Sequence, residues 1–138
     1  MKNKNIIQRE LYYTNTHEWI EFNQDYAIVG ISTFRLIDVK EIKKIDFFRV
    51  YGDKKKGDVI AKIKADRKLI EVHMPVDGTI VSINDSHRLI HQNLLIDFTE
   101  TTGWLVKIRP GHLCSRNGLI PSLRQSTTGL TILLSNQV

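Results

Sequence analysis

The stretch that decides the fold is Ile63-Lys64-Ala65-Asp66-Arg67-Lys68-Leu69-Ile70-Glu71-Val72-His73-Met74-Pro75-Val76-Asp77-Gly78-Thr79-Ile80-Val81-Ser82-Ile83. Its first half is a strand, a tight polar turn and a returning strand. Pro75 and Gly78 then fix a second turn, since proline presets φ and glycine tolerates the left-handed region. Thr79–Ile83, rich in β-branched residues, reads as a third strand.

Working outward, the same grammar repeats. On the N-terminal side, Gly57-Asp58 opens a strand over Val59–Ile63, and Ile42–Val50 is a strand of mixed alternation. Trp19–Phe22, the polar turn Asn23-Gln24-Asp25 and Tyr26–Ile31 form a hairpin. A short helix follows, capped by Ser32 or Thr33, with Phe34, Ile37 and Val39 expected to face the sheet. On the C-terminal side, Asn84 or Asp85 caps a helix through His91 that offers Leu89 and Ile90 for burial. Trp104–Ile108 is a last strand, stopped by Pro110-Gly111. Short strands at this spacing predict a mainly β protein, a flattened barrel or β-sandwich with a few short helices.

The chain has 138 residues, 41% of them hydrophobic and 25% charged, which is the size and balance of one folded domain. No apolar run approaches the ~20 residues needed to cross a bilayer. The N-terminus lacks the apolar core of a secretory signal, so the expected location is cytoplasmic. A single cysteine, Cys114, forms no internal disulfide and lacks an acid–base partner nearby. Basic residues exceed acidic ones by 20 to 15, and the excess is concentrated. Between Lys40 and Lys68 there are eleven Lys and Arg against five acids, a local excess of +6, and no acid follows Glu100. Such a balance draws acidic partners, but no recognisable motif of stacking aromatics set among the basic residues, of the kind single-strand nucleic-acid binders use, is present. His87 and His91 share a helix face without a third ligand, so no metal site is expected. No phosphate loop or nucleophile elbow is present, and no catalytic residue is assigned. Trp19 and Trp104 read as packing residues.

Four segments in order resemble the glycine cleavage H-protein family of lipoyl domains. They are Tyr13-Thr14-Asn15-Thr16-His17-Glu18-Trp19-Ile20, Ala27–Phe34, Pro75–Asn84 and Gly103–Ile108. The resemblance implies a lipoyl/biotinyl-type fold over 13–110, with an N-terminal extension at 1–12 and a C-terminal tail at 111–138. It also implies a carrier rather than an enzyme. Such a protein bears lipoate on a turn lysine and moves an aminomethyl group from a pyridoxal-phosphate glycine decarboxylase to an aminomethyltransferase. Dihydrolipoyl dehydrogenase then reoxidises it, and a lipoate-attaching enzyme modifies it beforehand.

The family's modified lysine stands eight residues before the proline of its Pro-Val-x-Gly segment, which here is Arg67. A guanidinium stays protonated and does not accept an acyl group. Lys68, one place later, is the neighbouring amine and the candidate for a shifted attachment point, unless it and Arg67 are simply solvated turn residues. In a strand a one-residue shift reverses the face, although a turn relaxes that rule. The alternative reading is an H-like module without lipoate that docks to partners through the fold and its basic hairpin face.

Overall fold

A computed structural model describes residues 10–47, 51–84, 103–111 and 116–121, and all statements below concern them. The chain forms ten strands in two antiparallel sheets. They are β1 (Leu11–Tyr13), β2 (Glu18–Asn23), β3 (Tyr26–Ile31), β4 (Ile42–Phe47), β5 (Gly52–Lys54), β6 (Val59–Ala65), β7 (Leu69–His73), β8 (Gly78–Ile83), β9 (Val106–Pro110) and β10 (Ile120–Pro121). The larger sheet runs β10-β1-β2-β3-β9-β8-β5 and the smaller β4-β6-β7. This is the flattened β architecture expected of the sequence.

Alternation explains how the sheets close on each other. In the small sheet Ile45, Ala61, Ile63, Ala65, Ile70 and Val72 turn inward and are buried. They meet Ile20, Val29, Ile31, Ile80, Val106 and Ile108 in one core. Each buried aliphatic side chain of this kind contributes about 1.5–3 kcal/mol by leaving water. Trp19 is fully buried and packs over Gly30, its cross-strand partner. A Cβ at Gly30 would fall 2.5 Å from the Trp19 ring, so that place requires glycine.

The first hairpin pairs Asn23 with Tyr26, so its turn is one residue shorter than the polar run suggests. The short helix is a 3-10 turn over Thr33–Leu36, and Ser32 caps it by accepting from the Phe34 N–H at 3.1 Å. Its inward face differs from expectation. Phe34 and Ile37 are 63% and 76% exposed, whereas Leu36 is buried and Val39, as expected, is buried too. In this short turn the buried residue is Leu36, and Phe34 and the C-cap Ile37 point outward. The strand expected over Ile42–Val50 is present over Ile42–Phe47, and residues 48–50 lie outside the described residues. The helix expected from Asn84 to His91 also lies beyond them, apart from Asn84. That residue donates its amide to the Trp104 carbonyl at 2.8 Å. The sequence reading missed β1, β5 and β10. Within the segment read as a tail, Ile120 pairs with Tyr13 and Pro121 with Tyr12.

Candidate functional site

The hairpin joining β6 to β7 turns on four residues. Lys64 pairs with Leu69, and the Ala65 N–H donates to the Lys68 carbonyl at 2.9 Å, which leaves Asp66 and Arg67 at the tip. The Asp66 N–H reaches the Glu41 carbonyl at 3.1 Å and docks the turn on the chain entering β4. Arg67 is exposed and has no partner among the described residues. Lys68 immediately precedes β7 and is exposed. There its Nζ meets Asp38 Oδ1 at 2.9 Å, with the two side chains 43% and 74% exposed. The hydrogen bond from Lys68, and then its charge, hold the Asp38 carboxyl below the usual carboxylate range.

An amide-linked arm needs a primary amine. Arg67 has none, so the tip itself does not fit lipoate. Lys68 fits chemically, because an exposed ion pair is worth little and a competing reaction can take the amine.

At the other end of β7 stands Glu18, part of a segment that the sequence alone marks only as the entry to the first strand. Glu18, at the start of β2, has no exposed surface. Its Oε1 accepts from Thr14 Oγ1 at 2.6 Å and from the Thr16 hydroxyl. Its Oε2 accepts from the His73 N–H at 2.8 Å and lies 2.9 Å from His73 Nδ1. Four donors on a buried carboxylate offset the cost of desolvating it. The loop before Glu18 is closed around it: Thr14 N–H donates to the Glu18 carbonyl, and His17 adopts φ 69°. The His17 carbonyl accepts from Ser32 N–H, and its ring lies against Phe34, 4.6 Å between centroids. A chain of contacts therefore runs from His73 through Glu18 and His17 to the 3-10 helix, then through Asp38 back to Lys68. The sequence carried one signal for this, an acid abutting the wholly buried pair Trp19-Ile20.

The remaining candidates add no chemistry. A polar cleft of about 340 Å³ is lined by Asp53, Lys54, Lys55, Asp77, Gly78, Thr79 and Gly111. Asp53 there accepts from Thr79 Oγ1, and Asp77 from the Lys56 N–H. Among the described residues no group of three or more His, Cys, Asp or Glu is placed to hold a metal. No described helix is long and apolar enough to cross a membrane. His87, His91 and Cys114 lie outside the described residues.

Comparison with known proteins matches residues 11–127 to the family model described as glycine cleavage H-protein. A probable glycine cleavage system H protein of Picrophilus torridus is 34% identical over 103 residues, covering 75% of this chain and 82% of the relative. One from Thermococcus kodakarensis is 28% identical over 108 residues, covering 78% and 79%. Among solved structures, a glycine cleavage system H protein from Mycobacterium marinum superposes with a TM-score of 0.70 at 18% identity. That alignment covers 86% of this chain and 94% of the other, and it shows the shared fold.

Proposed function

Since the chain belongs to the glycine cleavage H-protein family, we propose that it serves glycine decarboxylation as a carrier, with Lys68 as the attachment point of a lipoyl arm. The supporting observation is the position of that amine: on the turn of a hairpin docked at both ends, and held by one exposed ion pair to Asp38. When attached, lipoate would supply a disulfide that takes up an aminomethyl group and gives it on. The chain's own part is placement, without catalysis. β6 and β7 hold the turn clear of the core, and the Asp66–Glu41 backbone bond fixes its direction. The partners on this reading are the pyridoxal-phosphate glycine decarboxylase, the aminomethyltransferase, dihydrolipoyl dehydrogenase and a lipoate-attaching enzyme. The cytoplasm is where they would be met.

A second reading is favoured by Arg67, which holds the projecting position of the turn and admits no amide. On it the chain docks to the same enzymes without an arm, through a hairpin whose Lys64 and Arg67 are exposed. Intact mass of the chain from lipoate-supplied native cells, with fragment mapping across Ile63–Val72, separates the two. A lipoyl increment on Lys68 supports the carrier. An unmodified peptide beside a lipoylated control protein removes it, and binding that weakens with added salt would then support the docking module.

A further inference from the structure

Two large apolar side chains face outward from one turn. Phe34 and Ile37 are the exposed pair of the 3-10 helix, while Leu36 and Val39 anchor the same segment inside. The turn is held on several sides. Ser32 caps it, the Ser32 N–H donates to the His17 carbonyl at 2.8 Å, and Arg35 Nη1 donates to the Thr16 carbonyl at 2.9 Å. The His17 ring, 4.6 Å from that of Phe34, braces it from one side. Apolar groups fixed in this way lose little freedom on being covered, which is what makes an aromatic anchor effective at an interface.

The pair adjoins Lys68. Asp38, which accepts from Lys68 Nζ, is the residue after Ile37, and the Asp66 N–H joins the hairpin tip to the Glu41 carbonyl. The surroundings are positive: residues 35–44 and 64–69 hold seven Lys and Arg against three acids. We propose that Phe34 and Ile37 form the docking face for the enzyme that attaches lipoate to Lys68, and that this enzyme offers them an apolar socket rimmed by carboxylates. The occupant follows from where each partner must work. Enzymes acting at the free end of an attached arm need not approach the amine, whereas the enzyme that attaches it must cover the ground beside Nζ. Lysines and arginines around an apolar centre are complementary to acids on that enzyme and steer its approach. The identity of the enzyme rests on the carrier reading, but docking uses the face and not the amine.

The test measures binding of the purified lipoate-attaching enzyme from the same cells to the full, unmodified chain by titration calorimetry. Phe34→Ala and Ile37→Ser should each weaken binding about tenfold or more, and added salt should weaken the wild type. Tyr51→Ala is the control, at a residue 62% exposed against 63% for Phe34, and should stay within about twofold of the wild type. Lys68→Gln should bind as the wild type does while taking no lipoate. A wild type that binds the enzyme through this face yet stays unmodified would therefore remove the carrier reading and leave the docking face standing. Absence of wild-type binding, or equal affinities for Phe34→Ala and Tyr51→Ala, would overturn the proposal. So would a dimer in light scattering that Phe34→Ala dissociates, which would assign the face to a second copy. A fall in urea midpoint on Phe34→Ala as large as that of a core mutant would overturn it too, by showing the ring covered by its own chain.

Discussion

The two ends of β7 are tied down in opposite ways. At its start Lys68 meets Asp38 in water, through side chains 43% and 74% exposed. At its end His73 meets a carboxylate with no exposed surface, through both its backbone N–H and its ring. The distances are alike, yet the energetics are not. An exposed pair is screened and gives up side-chain freedom, so its net worth is near zero to about 1 kcal/mol. A buried carboxylate stripped of its donors leaves an uncompensated charge, at a cost of about 3–5 kcal/mol. The hairpin is thus anchored at its base and lightly held at its tip, the arrangement suited to presenting a turn to other proteins.

Substitutions at the two ends can break or sharpen that contrast. Removing the acceptor, Glu18→Ala, strands the hydroxyls of Thr14 and Thr16 and both donors of His73. It should lower unfolding free energy by about 3 kcal/mol in urea titration. A loss no larger than that of a surface mutant would mean the base is not anchored as described. Thr14→Val takes away one of the four donors and the acceptor of the Glu18 N–H. A loss of about 2 kcal/mol is expected, since both groups are buried. Asp38→Asn, at the tip, should move the melting temperature by no more than measurement error at pH 7. Its effect should appear only as a flatter acid limb. The Asp38 carboxyl titrates below its ordinary value, so its contribution is present above about pH 4 and is lost as pH falls further. An Asp38→Asn loss matching that of Thr14→Val would erase the distinction between the two ends.

The strands around the hairpin were legible because their pattern is local. Ile63 to Val72 alternates, and Pro75 and Gly78 announce the next turn. Three features were not legible, each for a physical reason. Phe34 and Ile37 look like an inward stripe, but the short 3-10 turn instead buries Leu36 and leaves them outside. β1, β5 and β10 are two or three residues long and owe their form to partners distant in sequence, as Tyr12 does to Pro121. Glu18 and His73 are 55 residues apart, and no period connects them. At the turn, the sequence identified Arg67 and Lys68 but could not disclose that Lys68 is engaged by Asp38, thirty residues earlier.

The most direct test of the carrier reading is the mass of the Ile63–Val72 peptide from native cells supplied with lipoate. The account predicts a lipoyl increment on Lys68, enriched in an Asp38→Asn variant whose amine is released from its ion pair. An unmodified Lys68 in both chains, beside a lipoylated control protein from the same cells, would contradict it.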